Sequence, residues 1–106
     1  MERFVGGQIV IADFPFSEIA QTKRRPALIL GTHKGDVIIC KISATETDGI
    51  ALKAEDFEKG KLDRGSTIVP HHIATITTQQ IAYLIGKLKK EKHDEVKSRI
   101  NELIAL

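Results

Sequence analysis

The feature that most constrains this chain is a rhythm. Short apolar runs follow one another at 8–12, 27–30, 37–42, 50–52, 66–69 and 83–88, the first of them rich in β-branched residues, each closed by Gly, Pro or a polar turn. No helical pattern separates them. Parallel strands need long crossover connections, usually helices, so βαβ winding is excluded. Helical spacing appears only at the end. There Val96, Ile100, Leu103 and Ile104 recur among Lys, Glu, Arg and Asn and predict an amphipathic helix over 91–105. Five to seven short strands and one terminal helix predict a mainly-β fold, a small, partly open β-barrel with a C-terminal α-helix packed on it. A length of 106 residues leaves room for one core, so 1–106 is expected to be a single domain. So small a core makes burial of further surface in a homodimer favourable.

The punctuation sets expected boundaries. Gly6-Gly7 precedes the first strand, and Phe14-Pro15-Phe16 ends it, because Pro15 cannot donate to a central ladder. Pro26 opens the second strand. A turn over 32–36 makes 27–42 a hairpin. Residues 57–62 read as irregular. Pro70 stops the fifth strand, 71–76 continue extended, and Thr77 caps a short turn before the chain returns as a strand at 83.

Composition excludes several functions. The formal net charge of +2 is too small for an indiscriminate nucleic-acid coat, although a local basic patch needs no large total. The single cysteine, Cys40, lies in an apolar strand, forms no intrachain disulfide and points to a reducing cytoplasm. It reads as a small buried hydrophobe. No apolar run approaches a membrane span, and the acidic Glu2 with no long apolar run behind it is unlike a signal peptide. No cysteine or carboxylate recurs at zinc-ligand spacing around His33, His71, His72 or His93, so no metal or other cofactor is expected. A Gly-x-Ser-x-Gly elbow is missing, and Gly31-x-x-x-Gly35 lacks the Lys-Ser/Thr ending of a phosphate-binding loop.

What remains is a set of Arg, Ser and His. Lys23, Arg24 and Arg25 stand at the mouth of the second strand, and Ser43 follows the third. In a hairpin the last residues of one strand lie across from the first of the other, so Arg25 and Ser43 should meet at one rim of the barrel. His71, after Pro70, can reach the same rim. This set suits cleavage of an RNA phosphodiester by its own 2′-hydroxyl, which needs cationic donors and a proton carrier but no protein nucleophile. Arginine offers a planar donor fork, serine a further hydrogen bond, and histidine a group that titrates in the useful range. The bland alternatives are a surface cation at Arg25, a loop serine at Ser43 bonding its own turn, and a loop histidine at His71. Of the adjacent pair Arg24 and Arg25, one would point away from the other. Phe14 and Phe16 either stack on bases or belong to the core. Lys87 to Lys92 read as a solvated face.

The succession Gly7-Gln8-Ile9-Val10, Asp13-Phe14-Pro15-Phe16-Ser17, Lys23-Arg24-Arg25-Pro26-Ala27-Leu28-Ile29-Leu30, Lys41-Ile42-Ser43, 66–76 and Ile85-Gly86-Lys87-Leu88 resembles the MazF/PemK-like toxins of type II toxin–antitoxin systems. The resemblance runs through nearly the whole chain in order. It implies an SH3-like barrel of the CcdB/MazF type, a homodimer, and a cytoplasmic, metal-independent endoribonuclease selective for sequence in single-stranded RNA, restrained by a cognate antitoxin protein. It implies catalytic roles for Arg25, Ser43 and His71; beside them Lys23, Arg24, Phe14 and Phe16 are expected to bind RNA. Two positions depart from the family's habit: Gln8 stands where many members have Asp, and Val69 where relatives often have Arg. Val69 favours the alternative of a non-catalytic module on the same barrel, binding RNA or inhibiting a protein target as gyrase-poisoning relatives do.

Overall fold

The computed structural model describes residues 3–14, 23–62 and 64–105. Seven strands form one antiparallel sheet: β1 (Gln8–Phe14), β2 (Lys23–His33), β3 (Asp36–Ser43), β4 (Ile50–Leu52), β5 (Phe57–Gly60), β6 (Ser66–Thr77) and β7 (Ile81–Leu88). Among the described residues a single α-helix, α1 (Lys90–Ile104), follows, and short 3₁₀ turns span Ala54–Asp56 and Thr78–Gln80. The strand order is β4-β6-β3-β2-β1-β7-β5. The chain is mainly β, as expected.

The order forces the sheet to curl. Edge strands β4 and β5 are joined by residues 53–56 alone. Laid flat, seven strands would hold those edges about 29 Å apart at about 4.8 Å per spacing, whereas the link reaches at most about 18 Å. The sheet therefore bends into a half-barrel around Ile9, Leu28, Cys40, Ile42, Leu52, Ile68, Leu88 and Val96, with Phe57 packed against them. A second cluster takes the other face of the central strands: Val10, Ala12, Phe14, Ala27, Ile29, Val37, Ile39 and Ile76. Strand alternation explains the division, since neighbouring side chains go to opposite faces.

Local chemistry explains most boundaries. The β2–β3 hairpin turns at Lys34 and Gly35, both with positive φ (47° and 88°), the conformation that matches a two-residue hairpin to the twist of its strands. Pro26 sits inside β2, not at its start. It pairs with Ile11 of β1, but the β3 ladder begins only at Ala27, so on that side the missing N–H costs no bond. Pro70 does not stop β6 either. Lys41 pairs with Val69 while Cys40 pairs with Ile73, so Pro70, His71 and His72 form a bulge, and the strand resumes beyond it. The irregular segment expected at 57–62 contains β5, a short charged edge strand that pairs with Gly86–Leu88 of β7.

The helix spans one residue fewer at its end and one more at its start than its periodicity suggested. Val96 is its buried residue, and Ile100 is partly buried, while Leu103 and Ile104 are exposed. Asp56 fastens the inter-edge link to this helix. Its carbonyl accepts from Lys89 N at 2.9 Å, and its carboxylate takes Lys53 N at 2.8 Å and Lys92 Nζ at 3.3 Å. Lys92 thus leaves the solvated face to which sequence assigned it. His93 also packs inward, against Gly6-Gly7: a Cβ on Gly6 would come within 2.9 Å of its Cε1. Among the described residues no helix is long and apolar enough to cross a membrane.

Candidate functional site

The cations at the mouth of β2 separate by face. Cα register sets Asp13 across from Arg24 and Ala12 across from Arg25. Arg24 Nε lies 3.8 Å from Asp13 Oδ1, a loose, exposed ion pair. Alternation sends Arg25 to the opposite face, the one that carries Ala27 and Ile29. Arg25 is exposed there. On β3 that face continues through Ile39 to Lys41 and Ser43, because Ala27 pairs with Lys41. Extending this register by two residues sets Arg25 across from Ser43.

Ser43 is buried, and its hydroxyl is occupied. Oγ accepts from Glu46 N at 3.0 Å and Thr45 N at 3.2 Å, and lies 3.3 Å from Thr45 Oγ1. This is the serine-closed turn that sequence offered as the bland alternative. It also fixes the next residues. Glu46 Oε1 accepts from Lys41 Nζ at 2.8 Å. That hydrogen bond is the main reason the Glu46 carboxyl sits below the usual carboxylate range; slight burial opposes it, and the charges of Lys41, His72 and His71 assist it.

The β6 bulge forms the neighbouring wall. Pro70 is buried, His71 exposed and His72 half-buried, with the two imidazoles edge to face at 4.7 Å between centroids. Cys40 braces the bulge from beneath, its thiol donating to the Val69 carbonyl at 3.0 Å. Burial pushes that thiol up to about 12, so it is a neutral packing group and no nucleophile. Val69 is fully buried and carries no polar function.

Arg25, Ser43 and the His71 bulge thus stand on three adjacent strands, β2, β3 and β6, towards one end of the sheet. Arg24 is turned away from them. Phe14 is buried, at 5% exposure, in the second cluster, which makes it a core residue with no free ring face for a base. Phe16 lies outside the described residues, and so does the side chain of Lys23. Sequence reasoning missed Lys41, Thr45, Glu46 and His72. Two signals were available: Lys41-x-Ser43 shares one strand face at period two, and Ser43-x-x-Glu46 has the spacing of a serine that closes a turn on a downstream amide. Among the described residues no three His, Cys, Asp or Glu side chains converge as metal ligands would.

A curled seven-stranded half-barrel with a terminal helix among the described residues defines a small mainly-β barrel class. A family model narrows it: residues 6–104 match the PemK-like, MazF-like toxins of type II toxin–antitoxin systems, and the chain belongs to that family. Solved structures agree on the fold. The Mycobacterium tuberculosis toxin MazF-mt6 is 21% identical, with 93% of this chain and 97% of that one covered and a TM-score of 0.73. A mycobacterial endoribonuclease in complex with its cognate antitoxin is 15% identical over 100% of this chain and 97% of that one, at 0.74. A MazE–MazF complex from Deinococcus radiodurans is 19% identical over 96% of each chain, at 0.73. No curated protein matched by sequence.

Proposed function

We propose that this protein is a sequence-selective endoribonuclease toxin that cleaves single-stranded RNA without a metal. The observation that carries the reading is the grouping of Arg25, Ser43 and His71 at one end of adjacent strands in a chain of this family. The substrate's 2′-hydroxyl attacks the adjacent phosphorus, and the bond to the 5′-oxygen breaks. The products are a 2′,3′-cyclic phosphate and a 5′-hydroxyl. Arg25 donates to the phosphate oxygens as negative charge builds on them. Ser43 holds the turn that shapes the site, and its O–H donates to the phosphate in exchange for its contact with Thr45 Oγ1. His71, exposed on the bulge, takes the 2′-proton or returns one to the leaving oxygen. The protein acts in the cytoplasm as a homodimer and is held in check by a cognate antitoxin; relatives solved with antitoxins bound support that partner.

Arg25→Ala tests the assignment. Loss of a transition-state donor should slow cleavage of a long RNA in EDTA by about 10²-fold or more. Near wild-type cleavage by this folded variant would sink it. A second reading rests on the occupied Ser43 hydroxyl and the apolar Val69: a module that binds RNA or a protein target without cutting. Wild-type protein that makes no cut at any sequence in EDTA would favour it.

A further inference from the structure

One residue, Glu46, engages both chemically useful side chains of the β3 end. Its backbone N–H is fixed to Ser43 Oγ and its carboxylate to Lys41 Nζ. The histidine bulge neighbours the same ion pair: Lys41 pairs with Val69 just before Pro70, His71 and His72, and the charges of both imidazoles act on Glu46. A carboxylate spreads one negative charge over two oxygens. The non-bridging oxygens of a phosphodiester do the same. Lys41 and the bulge therefore form a cradle for one monoanion, and in the free protein a residue of the chain itself fills it.

We propose that Lys41 is a phosphate-binding residue of the RNA site, and that Glu46 occupies the phosphate's place until RNA displaces it. This rests on the RNA reading above and extends it to a residue that reading does not use. Three features make the exchange practicable. The Lys41 and Glu46 side chains are 28% and 35% exposed, so an incoming phosphate can reach them. Half-exposed ion pairs are weak and easily traded. The turn is held by backbone amides on Ser43, so Glu46 can leave by rotating its side chain while the loop stays in place. Arg24, paired with Asp13 on the other face, does not compete for this role.

The test uses full-length protein and a randomised single-stranded 2′-fluoro RNA, which has no 2′-hydroxyl to attack, titrated by fluorescence anisotropy across a salt series. Glu46→Gln keeps the size and the backbone bond to Ser43 but removes the competing charge; binding should tighten by about three- to tenfold at low salt. Lys41→Ala should weaken it by a similar factor and flatten the slope of log K against log salt by about 0.7, one single-strand phosphate contact. Lys41→Arg should keep the slope. The double variant should bind more nearly like Lys41→Ala than like Glu46→Gln, because Lys41 is the main cation that Glu46 occupies. Thermal melts establish that each variant is folded. Unchanged or weaker binding by folded Glu46→Gln, or an unchanged slope for Lys41→Ala, overturns the proposal. If wild type cuts RNA in EDTA while these variants bind as wild type, only this proposal fails; if wild type neither binds nor cuts RNA, the RNA reading falls with it.

Discussion

Val96 is the fully buried side chain through which α1 closes the inner cluster, so Val96→Ala measures what the helix contributes. The change removes two carbons from the buried cluster that also holds Ile9, Leu28 and Leu88. Their transfer is worth about 1.6 kcal/mol, at about 0.8 per buried carbon. A void on the order of 50 Å³ adds up to about 1.2 kcal/mol if nothing relaxes into it. Alanine returns about 0.5 kcal/mol as the better helix former. The net loss should be about 1–2 kcal/mol, a fall in Tm of about 5–15 °C for a chain of this size. Urea unfolding followed by circular dichroism reads the difference directly. Ser98→Ala, exposed and roughly opposite Val96 on the helix, is the control and should stay within about 0.5 kcal/mol. A loss below about 0.5 kcal/mol for Val96→Ala would refute the view that the helix is part of the core.

Acid should weaken the fold through His93. Burial holds its pKa below the ordinary histidine value, Lys97 and Lys87 act in the same direction, and Asp94 and the Leu30 carbonyl oppose them. Below about pH 6.5 the unfolded chain takes up this proton while the folded chain still resists it, so stability present above that pH falls as the pH drops towards the folded value. Unfolding curves at pH 7.5 and 5.5 should differ, His93→Gln should shrink the difference, and an equal pH dependence in both proteins would count against His93. Gly60 ends β5 at φ 75°, and a Cβ there would overlap the Ile85 carbonyl oxygen. Gly60→Ala should cost about 1–3 kcal/mol; a wild-type melting curve would show that β5 can shift without penalty.

Much of this architecture could be read from the residues because the local signals agreed. The hairpin from β2 to β3 followed from two apolar runs around a Lys-Gly turn, and α1 from its spacing alone. The misreadings came where pairing overrode a local rule. Pro26 and Pro70 look like strand boundaries, yet Pro26 lies beyond the start of the β3 ladder and Pro70 in a bulge, so the strands run through both. β5 is charged and four residues long, and only its partner β7 makes it a strand. At the candidate site, counting back along the hairpin brought Arg25 and Ser43 to one end. The Lys41–Glu46 pair escaped notice because it depends on a turn geometry that Ser43 imposes.

The link between the sheet's edges also sets an order of assembly during synthesis. β4 and β5 leave the ribosome before β6 and β7, the strands they pair with. Gly60 and Leu88 are 28 residues apart, roughly 1–6 s of translation at 5–20 residues per second. Through that interval β5 waits for its partner β7 while β4 already finds β6 at residues 66–68, and the inner cluster still lacks Leu88 and Val96. The strands that carry Arg25, Ser43 and His71 therefore gain their finished support only once residues 88–96 have been added.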